Sequence, residues 1–284
     1  ILAKGLVIIQ YTYFLIIISL SHKIYIKDSS NGQGGDDKIN GKSGNDYLRG
    51  GAGNNTLNGG AGDDALTGWN ASGDNLLFGG DGNDFLDLSY SHGKNTFNGG
   101  AGDDTLTGFN SQIEGYNLLF GGDGNDSLDF SYSDGKNTLN GGAGNDTLNA
   151  SGSTGSNLLS GGDGNDYLTG GNENDTLYGG DGTDTFGFYS YNKDVDSLYD
   201  FNPTDDLIQV SADGFGGGLS TPSLKANQFT IAPSATTISQ RFIYNDITGG
   251  LFFDEDGSAS GFTQVKFAQL SAGLSLTQNN FVVV

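Results

Sequence analysis

The sequence predicts an all-β solenoid of about eight coils, each a flattened circuit of two short strands and two turns, followed by a small β-rich cap. Three observations predict it. A nine-residue phrase, Gly-Gly-x-Gly-x-Asp-x-Leu-x, recurs with variations from Gly32 to Gly187; Gly79-Gly80-Asp81-Gly82-Asn83-Asp84-Phe85-Leu86-Asp87 is one copy. Each copy carries one apolar residue at a fixed place. The residue two positions before it falls into two alternating sets. A period of this kind means stacked units, none of which can bury its apolar side chain without its neighbours.

The apolar ladder has sixteen rungs: Ile39, Leu48, Leu57, Leu66, Leu77, Leu86, Phe97, Leu106, Leu119, Leu128, Leu139, Leu148, Leu159, Leu168, Leu177 and Phe186. None is polar, so the rungs face a shared core and the alternating positions face water. Ahead of every second rung stands an aspartate: Asp46, Asp64, Asp84, Asp104, Asp126, Asp146, Asp166 and Asp184. Ahead of the others stand Asp37, Asn55, Asn75, Asn95, Asn117, Asn137, Asn157 and Asp175, and the turns from Asn75 to Asn157 follow lengthened, irregular loops. Alternate turns of a flattened coil lie on opposite edges, which accounts for the sorting. Glycine permits the left-handed backbone of such tight turns. Eight coils at about 4.8 Å spacing give a rod of roughly 38 Å.

The chemistry of the first edge points to a hard cation. Ca²⁺ takes six to eight oxygen ligands from carboxylates and carbonyls. The eight aspartates would supply carboxylates, and Gly60, Gly62, Gly80, Gly82, Gly100, Gly102, Gly122, Gly124, Gly142, Gly144, Gly162, Gly164, Gly180 and Gly182 would supply backbone carbonyls. Without a counterion each neighbouring carboxylate pair costs about 1 kcal/mol in water and several-fold more at an effective dielectric near 20. Eight turns leave seven gaps, so up to seven Ca²⁺ ions are expected along this edge. Asparagine keeps the hydrogen bonding without the charge, so few or no ions are expected on the second edge, with weaker sites at Asp37 and Asp175.

The phrase resembles the RTX (repeats-in-toxin) nonapeptide, and the resemblance covers residues 32–187. It implies a parallel β-roll with calcium between consecutive turns of one edge. Residues 188–284 resemble the family's C-terminal region, in which acidic residues complete the terminal calcium site; Asp196 and Asp200 match that description. Phe242–Tyr244, Gly250–Phe253 and Val265–Phe267 read as strands of the cap. Asp254-Glu255-Asp256-Gly257 lacks the remaining ligands of an EF-hand loop and reads as a turn. The hydrophobic end Asn280–Val284 is similar to the uncleaved signal of type I secretion substrates, and it suits a final edge strand equally well. The resemblance implies a secreted protein, extracellular or at the cell surface, that stays unfolded in low cytosolic calcium, meets the type I secretion apparatus during export and folds outside.

Composition narrows the partners. A net charge of −22 repels nucleic acid and anionic membrane. With no cysteine there is no disulfide or thiolate metal site, so bound metal is the staple left to an extracellular chain. His-Glu-x-x-His and Gly-x-Ser-x-Gly are absent, and the two histidines, His22 and His92, read as surface residues. A ladder of equivalent carboxylates lacks the two distinct environments that acid–base catalysis needs, so no enzymatic activity is expected. Residues 1–31 form a separate N-terminal segment; Ile1 in place of Met is expected to mark a fragment end. Its apolar run Leu6–Leu20 is short for a membrane span and lacks a small-x-small cleavage site, leaving a signal, a membrane segment and a buried capping strand open.

Two further readings remain. The chain is either the accessory C-terminal tail of a larger secreted protease, lipase or polysaccharide epimerase, or an adhesin module that binds cell-surface polysaccharide. For the second, Trp69, Tyr90, Phe109, Tyr116 and Tyr132 in the long loops would stack on sugars, although such rings more often pack one loop on the next. Outward Thr rows interleaved with Leu and Phe, as in Leu76-Leu77-Phe78 beside Thr96-Phe97-Asn98, break any ice-like lattice and favour contact with a further domain or another chain.

Overall fold

A computed structural model describes residues 23–25, 29–68, 70–111, 116–191 and 194–284. The apolar run Leu6–Leu20, His22 and Trp69 lie outside the described residues. Alternation of inward and outward side chains generates two sheets, because each circuit contributes one longer and one shorter strand. The longer strands run from Lys38–Ser43 through Leu76–Asp81 and Tyr116–Asp123 to Thr176–Asp181. The shorter ones run from Tyr47–Arg49 through Phe85–Asp87 to Tyr167–Thr169. Each strand pairs in parallel with its counterpart one circuit away, so Leu57 lies beside Leu77 and Leu77 beside Phe97. The result is an all-β parallel solenoid of about nine turns.

All sixteen rungs are buried between the two sheets, none more than 2 % exposed. The wide edge adds a second apolar layer from Leu88, Phe130 and Ala150. Its fit depends on size: a methyl group added at Gly108 would collide with the Phe130 ring, and one at Gly68 with Leu88. Phe130 in turn meets Phe97 edge-on, with ring centroids 6.0 Å apart.

The cap prolongs both sheets instead of forming a separate body. Asp196–Leu198 pairs in parallel with Thr176–Asp181 and then with Val265–Gln269, after which Gly250–Phe253 and Phe242–Asn245 pair antiparallel. Leu207–Val210 and the terminal Phe281–Val283 extend the short-strand sheet in parallel. Asn280 anchors that last strand by donating to the carbonyls of Pro203 and Asp206. Aromatic packing around Phe215, Phe242, Phe253 and Phe267 fills the cap. Asp256 accepts the N–H groups of Gly261 and Phe262, which makes the acidic segment from Asp254 a turn. Among the described residues no helix is long and apolar enough to cross a membrane.

Candidate metal centre along the aspartate edge

Each aspartate of the first edge sits where a longer strand turns into a shorter one. Its Oδ1 accepts the backbone N–H of the preceding rung's aspartate: Asp64 to Asp84, Asp84 to Asp104 and Asp126 to Asp146, each at 2.7 Å. An outer ladder runs the opposite way, with Asn83 donating to Asp63 Oδ1 and Asp103 to Asn83 Oδ1. Together they fix the register of successive turns.

The second carboxylate oxygen is different. Oδ2 of Asp64, Asp84, Asp104, Asp126, Asp146, Asp166 and Asp184 is buried with no hydrogen-bond partner. A buried, unsatisfied acceptor costs about 1–3 kcal/mol, and more when charged. These oxygens converge with backbone carbonyls. A methyl group added at Gly79 would collide with Asp84 Oδ2 and lie 2.5 Å from the Gly99 carbonyl oxygen, and the same holds at Gly121 for Asp126 Oδ2 and the Gly141 carbonyl. The cradle therefore combines one carboxylate oxygen with a carbonyl from the next circuit. That is the donor chemistry of a hard cation. Among the described residues no group of three or more His, Cys, Asp or Glu side chains gathers as a metal cage; a site here has to draw on main-chain oxygens.

Electrostatics agree. Burial first, and then the neighbouring carboxylates, push Asp104 and Asp166 up to about 7 and Asp84, Asp126 and Asp184 up to about 6; hydrogen bonds from backbone N–H groups pull the other way. Asp64 and Asp146 are raised chiefly by burial. A row of carboxylates this reluctant to ionise needs protons or a cation.

The opposite edge solves the same geometry without charge. Asn75 Nδ2 donates to the Gly73 carbonyl at 2.8 Å and to Asn95 Oδ1 at 3.1 Å. Asn117 Nδ2 donates to Asn137 Oδ1 at 2.8 Å, and Asn157 Nδ2 reaches the Gly155 carbonyl at 2.7 Å. The amide places a donor among the carbonyls, the place a cation would take beside a carboxylate. The backbone ladder persists, with Asn55 donating to Asn75 Oδ1 and Asn75 to Asn95 Oδ1.

At the ends of the rows, Asp37 donates its N–H to Asn55 Oδ1, so it opens the amide row. Asp175 closes that row and donates its N–H to Asp196 Oδ1 at 3.0 Å. Asp196 thus caps the amide edge, and burial lifts it well above the usual carboxylate range. A cleft of 560 Å³ lined in part by Tyr132, Tyr189 and Asp194 opens beside it. Asp200 lies at the aspartate edge, where its two oxygens accept the N–H groups of Gly179 and Gly180. The next rung of the aspartate row is Asp206, whose Oδ1 accepts the Asp184 N–H and whose Oδ2 accepts the Asn202 N–H. Sequence reasoning missed it, although Asp206-Leu207-Ile208 repeats the Asp-x-apolar spacing. His92 is exposed. Of the described rings, Tyr90 packs against Phe109 and Phe109 against Tyr132 at 5.9 and 5.7 Å, whereas Tyr116 opens the strand Tyr116–Asp123 and is exposed.

The family model for the RTX calcium-binding nonapeptide repeat (4 copies) matches residues 31–67, 71–89, 93–111, 114–131, 132–153 and 151–186. Among solved structures, the solution structure of the AlgE6R3 subunit from the Azotobacter vinelandii mannuronan C5-epimerase is 26% identical, with a TM-score of 0.35, over 52% of this chain and 77% of that one. No curated protein matches.

Proposed function

The chain belongs to the RTX calcium-binding repeat family, and from that premise we propose that it is a secreted module whose roll compacts as calcium fills the aspartate edge. The observation that carries this is the file of buried Oδ2 atoms without hydrogen-bond partners, those of Asp64 to Asp166 each beside a glycine carbonyl of the next circuit. Asp46 through Asp184 would hold the ions between consecutive turns, with carbonyls from the glycines of the same turns. Calcium supplies there the positive charge that lets closely stacked carboxylates stay ionised while buried. The protein's own part is to align the oxygens, keep them dry and hold the register through both hydrogen-bond ladders.

Asp206 adds a gap beyond Asp184, and Asp175 with Asp196 forms a weaker pair on the other edge. Residues 32–187 act as the calcium-dependent roll and residues 188–284 as the cap that closes its end and carries the export signal. The role is structural: the carboxylates occupy equivalent environments, which supports scaffolding over acid–base chemistry. Calorimetric titration of the chelator-treated protein, followed in parallel by circular dichroism, tests the reading. Several ions binding together with a gain of β-structure is the expected result; no binding at millimolar calcium overturns it.

A further inference from the structure

The outward face of the long-strand sheet carries two columns of side chains with no charged residue from Thr56 to Tyr199, in a chain of net charge −22. The first column alternates Thr and Leu strand by strand from Thr56 to Thr176; the second alternates from Asn58 to Asn140, after which Ser160 stands beside Leu158 and Tyr178 beside Thr176. Leu76 and Phe78 form a ridge, Thr96 and Asn98 a groove, and Leu118 and Phe120 the next ridge, in direct register. Leu76, Leu118 and Phe120 are 40, 37 and 36 % exposed, so the ridges stand in solvent. Beside them Gly80, Gly100 and Gly122 leave a flat shelf, and beyond it Asp81 and Asp123 form an acidic border.

We propose that this strip binds an extended, neutral, β-1,4-linked polysaccharide lying along the rod axis. Its width decides against a protein partner. Two columns about 7 Å apart on a rod of some 35 Å offer roughly 300 Å², against about 800 Å² per partner in a stable protein interface. One polymer chain fits that width. Its period decides the polymer. Ridges recur every second strand, about 9.6 Å, and a β-1,4-linked chain inverts alternate rings, giving a disaccharide repeat of nearly the same length. Every second sugar then lays its C–H face on the Leu76–Phe78 ridge, the Leu118–Phe120 ridge or Leu158, and the Thr hydroxyl and Asn amide between ridges reach the hydroxyls of the sugar between. The charge decides the rest: the columns carry no cation, and Asp81, Asp123, Asp163 and Asp181 line one border against Lys136 beside Tyr116 at the other, so a neutral glycan is favoured over an anionic one.

The test is retention of the calcium-loaded full chain on amorphous cellulose and on chitin, with alginate as the anionic control. Binding to at least one neutral polymer is expected. Leu118→Thr with Phe120→Asn, which installs residues the adjacent strands already carry, weakens binding at least tenfold while the calcium-induced circular dichroism is unchanged. Phe120→Tyr keeps the ring and keeps the binding, as does Phe85→Ser on the other sheet. Retention on neither neutral polymer, preference for alginate, equal loss from Phe85→Ser, ice binding by the strip, or dimerisation that the double variant abolishes would each overturn the proposal.

Discussion

Asp104→Asn separates the scaffold role of the edge from its charge. In the folded chain Asp104 Oδ1 accepts the Asp84 N–H, and an asparagine keeps that bond, as Asn95 does for Asn75. What changes is Oδ2, buried and without a hydrogen-bond partner, which becomes an amide donor facing the carbonyl of Gly121. Two consequences of opposite sign follow. Without calcium, repulsion with Asp84 and Asp126 disappears; at one-circuit spacing each pair is worth about 1 kcal/mol in water and about 3 at an effective dielectric of 20. At a pH above the pKa values of Asp84, Asp104 and Asp126, raised to about 6, 7 and 6, all three are ionised and the apo roll should gain about 2 kcal/mol or more. With calcium, the two gaps that share Asp104 lose a carboxylate, so stoichiometry falls by one or two ions. Titration calorimetry gives the ion count, and urea unfolding in chelator gives the apo stability. Asn95→Ala is the contrast: it strips partners from the Asn75 N–H and the Gly93 carbonyl, costs about 1–3 kcal/mol, and leaves the ion count alone. An unchanged count in Asp104→Asn, or equal losses in the two variants, refutes the division of the edges.

Acid should substitute for calcium. Asp104 and Asp166 are raised to about 7 and Asp84, Asp126 and Asp184 to about 6, against about 3.9 in an unfolded chain. The folded apo state therefore binds more protons, and this stabilisation is complete below pH ~4 and lost as pH rises through 6 to 7; urea midpoints in chelator that stay flat or rise across that window refute it. Gly79→Ala places a methyl in the cradle at ordinary φ, so it should remove the ion beside Asp84, whereas Gly34→Ala, with open space around it, should leave the count unchanged by calorimetry. Asp206→Ala deprives the N–H groups of Asp184 and Asn202 of their acceptor, so the last rung should lose one ion and about 1–3 kcal/mol of stability, read by calorimetry and thermal unfolding in calcium.

The roll was legible in the chain because its rule is local: Asp or Asn, one residue, then an apolar residue, repeated at a spacing that leaves no other use for the side chains. The buried ladder from Ile39 to Phe186 follows that rule without exception. The ends were harder. Between Asp194 and Asp206 acids are so dense that spacing alone does not choose among them, and only the pairing of Leu207–Val210 with Thr185–Phe188 puts Asp206 in line with Asp184. Asp196 shares the Asp-x-apolar spacing, yet its strand joins the long-strand sheet, which sets it on the amide edge. The second apolar layer was also hidden, since Leu88 and Phe130 lie in loops of irregular length and their fit depends on Gly68 and Gly108 in the preceding circuit.

The two edges set how strongly folding depends on calcium. Replace every Asp of the first edge by Asn and each buried Oδ2 gains an internal donor, so the roll closes whether or not metal is present. Replace every Asn of the second edge by Asp and the number of unneutralised carboxylate pairs nearly doubles, each adding about 1 kcal/mol or more against the apo fold. The observed chain lies between these limits. Its amide edge holds register at no electrostatic cost, so ions arriving at the aspartate edge meet oxygens whose spacing the other edge already enforces. Compaction is then conditional on calcium along one border only. The threshold concentration is set by the number of consecutive aspartates in that row, and each Asp→Asn change within it should lower the threshold for folding while also lowering the number of ions bound.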